Sequence, residues 1–438
     1  MKKQPTFRYM WVYNHFKQLI LSGEYQPGDK IPSIRRCAQL LQVSKTTVES
    51  AYMLLETEGR ILSKAQSGYY VTAAAKIRSA PPSTTTQPQP LNTVQYNFAT
   101  RGADKHVFSF ELWQRYLKSA LRQQERLLRY GDVQGEFELR EAICQYVQRA
   151  RNVVCTPQQI IVGAGVQSLL HLLCPLLPGE RTVGFYTPFT QGEAVFADHG
   201  YTHLPQSSAH ILYVSPSHLT PYGSALSLSQ RFEILQQCRQ QQRIIVEDDY
   251  GSELCYARQP ISSLQGLSGG KGVVYLGTFS PLLLPSIRIG FMVLPQNLLS
   301  IYQERRQLYN QSASQLEQLA LGHFIANGQL ESQIRRARRS CLQKTTALAN
   351  ALQGTFGSRV NCLFGDGGYT LLAQFCSNST PHRLAQLAAN AGIALTPQKF
   401  SPLGQPGLLL CCSGVDTADY PSAAKLLYSA IAPAIGAK

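Results

Sequence analysis

The sequence has no C-x-x-C pair, no long apolar run and few charged residues, and each shortage excludes a class of protein. Its 11 cysteines lie mostly within apolar stretches, which is typical of reduced thiols and argues against a zinc site or a disulfide framework. No stretch reaches the ~18 consecutive apolar residues of a membrane helix, and the first residues do not have the pattern of a signal peptide. We therefore expect a cytoplasmic protein.

What is present describes a large globular chain with an excess of basic residues. Hydrophobic residues make up 44% of the 438 residues and charged residues 15%, which excludes a disordered protein. The length alone predicts two or three domains. Lys and Arg number 41 against 26 Asp and Glu, and the resulting charge of +15 favours a polyanionic partner such as nucleic acid.

Composition changes abruptly at one place in the chain. Residues 74–95 are rich in Pro, Ser, Thr and Gln and nearly free of large apolar side chains, which predicts a linker. It separates a small module, residues 1–73, from a body in which strand-like and helix-like segments alternate. This alternation predicts an α/β domain with a mostly parallel sheet over 96–328, and the helix-rich remainder, 329–438, predicts a smaller α+β lobe.

The N-terminal module has the pattern of a winged helix-turn-helix. Ser33 and Ser44 each precede a short helical segment, and the few residues between the segments suit the tight turn of this motif. Residues 60–72 then predict two short strands around a Gln-Ser-Gly turn. Residues 1–78 carry twelve Lys and Arg against five acids, a net charge of +7. DNA binding explains this combination better than a helical domain with a solvated basic face.

The candidate DNA contacts follow from the positions of these elements. The second helix of the pair begins with polar residues that a recognition helix directs into the major groove, while the preceding helix and the wing offer groups for phosphate contacts. The candidates are Arg35, Arg36, Ser44, Lys45, Thr46, Thr47, Lys64, Ser67 and Gly68.

Residues 20–71 resemble the winged helix-turn-helix of the GntR family of bacterial repressors. The resemblance includes the stretch Pro-Gly-x-x-Ile-Pro-Ser-x-Arg and the Ser-Lys-x-Thr-Val start of the recognition helix. It implies that the partner is double-stranded DNA.

Three segments of the body suggest a binding site. A Gly-containing turn between a strand and a helix leaves the backbone N–H groups of Val166 and Gln167 available to a phosphate. Residues 243–250, RIIVEDDY, place three acids at the end of a strand, which is costly unless one meets a cation or a protonated ring nitrogen. A solvated strand end is the alternative. Ser280 and Arg288, in GTFSPLLLPSIRIG, suit an anion such as a phosphate ester.

Together these segments resemble the fold-type-I aminotransferase body of the MocR subgroup of GntR regulators, over most of 96–438. YGDVQGEFELREAI, SPSHLTPYG and QIRRARRS match further motifs of that body. The resemblance implies that Asp248 pairs with the pyridinium nitrogen of pyridoxal 5'-phosphate and that Tyr250 bonds its phenolic oxygen. The implied cofactor-binding residues are Val166, Gln167, Asp248, Tyr250, Ser280 and Arg288.

The chain departs from the family at the positions that catalysis needs. Pro281 stands where the family has its Schiff-base lysine, and Lys271, which precedes the strand, is a poor replacement. Leu409 stands where an arginine grips the substrate carboxylate. The family's His-Gln pair reads His218 followed by Leu, and Phe189 is the candidate for a ring-facing aromatic position.

These observations predict a dimeric, DNA-binding transcription regulator whose aminotransferase-like domain serves dimerisation and effector sensing without catalysis. The expected ligand is pyridoxal 5'-phosphate, another vitamin B6 compound or an amino-acid-like effector, held without a covalent bond, or none. Two alternatives stay open: an active aminotransferase with an appended DNA-binding domain, and a body that only dimerises.

Overall fold

The structure is a computed structural model that describes residues 8–73, 94–100, 102–257, 261–398 and 405–435. Contacts divide the chain into two compact units, Met1–Leu91 and Asn92–Lys438. The predicted linker, 74–95, lies outside the described residues except for its last two positions. None of the helices described is both long and apolar enough to cross a membrane.

Three helices and a two-stranded sheet make up the first unit. The elements are α1 (Arg8–Ser22), α2 (Ile34–Leu40), α3 (Lys45–Thr57), β1 (Ile61–Lys64) and β2 (Gly68–Val71). On α1, Val12, Phe16 and Ile20 recur at four-residue spacing and are buried in the core of this unit. Residues so spaced share one face of a helix. That face packs on α3, which buries Val48 and Tyr52.

Side-chain caps set where the second and third helices begin. The Ser33 side chain accepts a hydrogen bond from the backbone N–H of Arg36 (3.3 Å), and Ser44 accepts one from the N–H of Thr47 (3.2 Å). Each bond satisfies an amide of the first turn that has no partner within the helix. β1 and β2 pair antiparallel to form the wing. The predicted winged helix-turn-helix fold is confirmed.

The second unit consists of a large sheet covered by helices and a smaller C-terminal lobe. Its helices are α4 (Phe110–Leu121), α5 (Gln124–Leu127), α6 (Phe137–Arg151), α7 (Val166–Leu173), α8 (Thr190–Asp198), α9 (Leu228–Gln240), α10 (Leu264–Leu267), α11 (Gln296–Arg305), α12 (Gln315–Ala326), α13 (Gln329–Phe356), α14 (Pro381–Asn390) and α15 (Tyr420–Ile431). Its strands are β3 (Tyr96–Asn97), β4 (Ile160–Gly163), β5 (Thr182–Phe185), β6 (Thr202–His203), β7 (Ile211–Val214), β8 (Ile244–Asp248), β9 (Val273–Thr278), β10 (Gly290–Val293), β11 (Val360–Leu363), β12 (Thr370–Phe375), β13 (Ile393–Ala394), β14 (Thr396–Gln398) and β15 (Gly407–Cys411).

The large sheet is buried on both faces. Its strand order is β4-β10-β9-β8-β7-β5-β6, and only β10 runs antiparallel to its neighbours among the strands described. Within β9, Val274 and Leu276 join one apolar cluster and Tyr275 joins another. Helices therefore cover both sides, which explains the continuous apolar strands of the sequence. The predicted mostly parallel sheet is confirmed.

The C-terminal lobe is built on the antiparallel sheet β11-β12-β15-β14 and the helices α13, α14 and α15. The short strand β3 pairs in parallel with β13. The first described residues after the predicted linker are therefore bonded to the C-terminal lobe.

Two loops join this lobe to the large sheet through a close backbone approach. The backbone N–H of Asp366 donates to the carbonyl of Gly223 (2.9 Å). Gly223 has a φ of +92°, and a Cβ there would lie 2.1 Å from the carbonyl oxygen of Gly367. Only glycine fits this position.

Candidate functional site

The recognition helix presents its polar first turn to solvent. Lys45 and Thr46 are exposed at the start of α3, and Thr47 is half-buried. The hydroxyl of Ser44 lies 2.8 Å from that of Thr46 and 2.7 Å from that of Thr47, besides capping the helix. Ser44 therefore orders this turn, and Lys45 is its exposed cation.

The other predicted contacts surround the same helix pair. Arg35 and Arg36 are exposed on α2, and Lys64 ends β1 at the wing. Ser67 and Gly68 form the wing tip, where Gly68 adopts a φ of +110° that other residues rarely reach.

Sequence reasoning missed two further residues of the wing, Lys30 and Tyr70. The side-chain ammonium groups of Lys30 and Lys64 both lie over the Tyr70 ring. No local spacing signals this group, because Lys30 comes from the segment before α2 and its partners follow α3.

In the body, five neighbouring strands bring the predicted residues to one edge of the large sheet. The strands are β4, β10, β9, β8 and β7, in that order. The ends of parallel strands share an edge, which is where ligands bind in open α/β sheets. Residues next to these strand ends are Val166 and Gln167 after β4, Arg288 before β10, Ser280 after β9, Tyr250 after β8 and His218 after β7.

The three consecutive acids of β8 have three different environments. Glu247 accepts the backbone N–H groups of Leu264 and Gln265 (both 2.8 Å) at the start of α10. Burial raises the pKa of Glu247 to about 7. Burial also opposes ionisation of Asp249, but the Arg151 guanidinium outweighs it and holds the pKa of Asp249 below its usual value. Neither of these acids is available to a ligand.

Asp248 is the acid that lacks a full set of partners. The Tyr213 hydroxyl donates to its Oδ2 (2.6 Å), whereas Oδ1 is buried with no hydrogen-bond partner among the described residues. Burial raises the pKa of Asp248 to about 6. An unpaired buried carboxylate oxygen is costly, and a protonated ring nitrogen would pair it. This end of the site therefore fits the pyridine of the implied cofactor.

A guanidinium lies at the N-terminus of α7. Arg288 Nη2 donates to the carbonyl of Ala164 (3.3 Å), and Gly165 leaves room for it, since a Cβ there would lie 3.1 Å from Nη2. Arg288 itself has a φ of 52°, a strained left-handed conformation that is enriched at functional sites. Together with the free N–H groups of Val166 and Gln167, this corner fits a phosphate.

Ser280 stands beside this corner. Thr278 lies opposite Gly290 in the antiparallel β9–β10 pair, and the backbone N–H of Phe279 donates to the carbonyl of Ile289 (3.2 Å). This register places Ser280 and Arg288 at matching positions just beyond the end of the pair. The Thr278 hydroxyl donates to the Ser280 hydroxyl (3.3 Å).

A cavity of ≈ 160 Å³ opens between the sheet edge and the C-terminal lobe. Tyr250, Ser280 and Pro281 line it from the sheet, and Gly368 and Cys411 line it from the lobe. The His218 and Tyr250 rings meet edge to face, with centroids 5.3 Å apart. Among the lining residues that the structure describes there is no Lys or Arg.

The positions where the sequence analysis expects a departure from the family are apolar or distant from the cavity. Pro281 lines the cavity. Lys271 is exposed before the opposite end of β9, a strand of six residues that spans ~20 Å. Leu409 is buried in β15, and Phe189 stacks on Tyr213, with centroids 5.5 Å apart.

Two residues that support Asp248 and Asp249 also escaped sequence reasoning. Arg151 lies at the end of α6, and its Nε donates to Asp249 (2.6 Å) across 98 positions of sequence. Tyr213, within β7, holds Asp248. A basic residue near a helix end and a tyrosine in an apolar strand are both common, so neither carried a signal.

Comparison with known proteins defines the class of each unit. Residues 8–71 match the gntR family of bacterial regulatory proteins, and residues 101–191 and 197–427 match the aminotransferases of class I and II. A crystal structure of a kynurenine aminotransferase from Pyrococcus horikoshii has a TM-score of 0.67 over 78% of this chain and 92% of that one, at 21% identity. The chain thus joins a DNA-binding winged helix-turn-helix to a body of aminotransferase fold.

Relatives share this arrangement along the whole chain. YhdI of Bacillus subtilis, an uncharacterized HTH-type transcriptional regulator, is 33% identical over 99% of this chain and 98% of its own. MocR of Rhizobium meliloti, a probable rhizopine catabolism regulatory protein, is 28% identical over 92% and 90%. The chain belongs to the MocR subgroup of the GntR family. It is a DNA-binding transcription regulator, as the sequence predicted.

Because Oδ1 of Asp248 is buried without a partner among the described residues, we predict that Asp248→Asn raises the melting temperature of the ligand-free protein at pH 8. The carboxyl ionises near ~3.9 in an unfolded chain and at about 6 in the folded body. The folded state therefore loses stability as the pH rises through this window and carries the full penalty above it. The shift of about two pKa units corresponds to roughly 3 kcal/mol.

Calorimetry at pH 8 and near pH 4 measures the difference in melting temperature between Asp248→Asn and the wild type. This difference should be large at pH 8 and small near pH 4. Asp198→Asn, at an exposed carboxylate, is the control and should show little change at either pH. A melting temperature that falls at pH 8 in Asp248→Asn would contradict the unpaired carboxylate.

Proposed function

We propose that the body of this regulator senses a phosphorylated pyridine, which it binds reversibly and without catalysis, and that the body also forms the dimer. One observation carries the proposal: a site that fits a ring nitrogen and a phosphate has Pro281 where a covalent bond to the ligand would form. The regulator would then respond to binding alone.

The residues that would hold the ligand have separate tasks. Asp248 would pair with the protonated ring nitrogen through its unpartnered Oδ1. Arg288, with the N–H groups of Val166 and Gln167, would hold the phosphate through charge-assisted hydrogen bonds. Tyr250 lines the cavity, whereas Asp248 and Arg288 are not among its lining residues. The kynurenine aminotransferase of the same fold was solved in complex with PMP, which supports a ligand of this class.

The same residues argue against turnover. Pyridoxal phosphate, when bound, supplies an electron-withdrawing ring, but transamination also needs a base that moves the α-proton and a cation that grips the substrate carboxylate. Pro281 has no titratable group, and Lys271 is exposed before the far end of β9. Leu409 is apolar and buried. These positions therefore supply neither the base nor the carboxylate-binding cation, which argues against the alternative of an active aminotransferase.

An exposed apolar segment supports dimerisation through the body. Over residues 121–137, Leu128 is 86% exposed and Tyr130 106%, and Leu121 and Phe137 are about half exposed. Tyr130 also lines a groove of ≈ 790 Å³ whose other lining residues are mainly polar or charged. Large apolar side chains clustered on a surface mark a protein interface. A second copy of this chain is the occupant that we propose.

The DNA contacts are proposed from exposure and position. Lys45 and Thr46 would reach base edges from the first turn of α3, while Arg35 and Arg36 would contact phosphates from α2. Ser44, whose hydroxyl is engaged with its own helix, would act by ordering that turn.

The ligand proposal predicts that added pyridoxal phosphate raises the melting temperature of the protein and is lost completely on dialysis. Arg288→Gln should weaken binding roughly tenfold to a hundredfold, because a hydrogen bond to a charged group contributes about 1.5–3 kcal/mol. Fluorescence titration measures the affinity, and Arg305→Gln, at an exposed arginine of α11, is the control.

Borohydride reduction followed by peptide mapping should find no adduct in 271–290. A stoichiometric adduct on Lys271 would overturn the reversible mode.

The DNA proposal predicts that Lys45→Ala weakens binding to a sequence selected from a random library by about 1–3 kcal/mol. Binding to unselected DNA should change much less, because a base contact acts only on the selected site. Fluorescence anisotropy measures both affinities, and Lys17→Ala, at a lysine paired with Glu58, is the control. Equal losses on both DNAs would assign Lys45 to phosphate contact instead.

The interface proposal predicts that Leu128→Asp shifts the protein from dimer to monomer, because two copies of a buried aspartate would lie unpaired in the interface. Sedimentation velocity measures the change. Leu228→Asp, at an exposed leucine of α9, should stay dimeric. A wild-type protein that sediments as a monomer would refute dimerisation, and a dimer unaffected by Leu128→Asp would place the interface elsewhere.

A further inference from the structure

The segment before α2 is hydrogen-bonded to the wing through a single β-bridge. Lys30 forms an antiparallel bridge with Tyr70, and the backbone N–H of Ile31 donates to the carbonyl of Tyr69 (3.0 Å). Tyr70 is in turn paired with Leu62 of β1. Residues paired across neighbouring strands point to the same face of a sheet. Lys30, Leu62 and Tyr70 therefore share the outer face of the wing, where Leu62 is 52% exposed.

On this face one aromatic ring holds two ammonium groups. Lys64 Nζ lies 4.6 Å and Lys30 Nζ 5.8 Å from the centroid of the Tyr70 ring. Both distances are within the range of a cation–π contact. The Tyr70 hydroxyl lies 2.7 Å from that of Ser67 at the wing tip, which fixes the ring. Gly68 leaves room for the Lys30 stem, since a Cβ there would lie 3.1 Å from Lys30 Cε.

Three of the five acids of the module have partners other than Lys30 and Lys64. Glu58 forms ion pairs with Lys17 and Arg60. Asp29 accepts the backbone N–H of Gln26, and Glu56 accepts a backbone N–H of β1. The two lysines on the ring are therefore not neutralised by these carboxylates, and a polyanion is the partner that the face fits.

We propose that Lys30, Lys64 and Tyr70 form a clamp for backbone phosphates of duplex DNA on the outer face of the wing. We call these three residues the wing clamp. The proposal rests on the DNA-binding function of the chain and adds Lys30 and Tyr70 to the contacts expected from its sequence. The wing clamp contributes affinity that does not depend on base sequence, because phosphates are the same along the duplex.

The role of Tyr70 is to position the two lysines. The two Nζ atoms can be no further apart than the sum of their distances to the ring centroid. Both can therefore reach phosphates of one DNA strand, which recur every ~3.4 Å along the helix axis. A lysine held on a ring loses less rotamer freedom on binding than a free one. Removing a lysine and removing the ring should therefore have different effects.

Lys30→Gln tests the charge. With a random-sequence duplex of about 30 base pairs as the probe, fluorescence anisotropy of the full-length protein is followed between about 50 and 200 mM salt. Losing one phosphate contact should lower the slope of log affinity against log salt by about 0.9 for each bound module. Lys17→Gln removes the same charge from the same module outside the wing clamp, and its slope should equal that of the wild type.

Tyr70→Leu tests the positioning. Both charges remain, so the salt slope should stay that of the wild type while the affinity falls at every salt concentration. Tyr70→Phe retains the ring and should restore most of the affinity. The melting temperature of Tyr70→Leu shows whether this variant is folded. If it is not, Lys30→Gln still tests the wing clamp, because its side chain is exposed and its loss should not affect folding.

The outcomes separate the wing clamp from the DNA-binding function itself. Wild-type protein that fails to bind the probe at low salt would overturn the function and the wing clamp with it. Wild-type binding with an unchanged slope in Lys30→Gln would overturn the wing clamp alone. Wild-type affinity in Tyr70→Leu would show that the ring does not position the lysines.

Discussion

The proposed ligand site depends on one buried ion pair, between Arg151 and Asp249. Arg151 donates from Nε (2.6 Å) and Nη2 (2.9 Å), and the Tyr275 hydroxyl donates to the same carboxylate (2.7 Å). Two adjacent buried carboxylates repel each other, so Asp248 can remain ionised beside Asp249 only because Arg151 neutralises the latter. Removing one partner of such a pair leaves an uncompensated buried charge, which is strongly destabilising. The pair fixes the end of α6 to the end of β8, next to the strands that form the site.

The site contains costs that a purely structural body would have no reason to retain. Asp248 carries a buried oxygen without a partner, and Arg288 holds a left-handed backbone that costs roughly 1–3 kcal/mol. In the proposed complex, a cationic ring would pair with Asp248 and a phosphate would use Arg288. Pro281, by contrast, lines the cavity and offers no titratable group. This combination of retained polar groups and Pro281 supports the proposal that the body binds its ligand without transforming it.

The sequence was most informative where the structure is local. The caps at Ser33 and Ser44 and the alternation of strands follow from spacing within a few residues, and both were predicted. The partner of Asp249 was not predicted, because Arg151 lies 98 positions away and no pattern links them. Lys30 was missed for the same reason, since its place on the wing depends on a bridge to Tyr70 across two helices of sequence. Family resemblance supplied the roles of Asp248 and Arg288, which their spacing alone did not.

The short strand β3 gives the fold a mechanical consequence. It bonds to β13 of the C-terminal lobe and not to the large sheet, so the tether of the DNA-binding module is fastened to the smaller of the two parts that enclose the cavity. That part meets the large sheet through the backbone approach at Gly223. A displacement of the lobe would therefore carry the residues that follow the predicted linker with it.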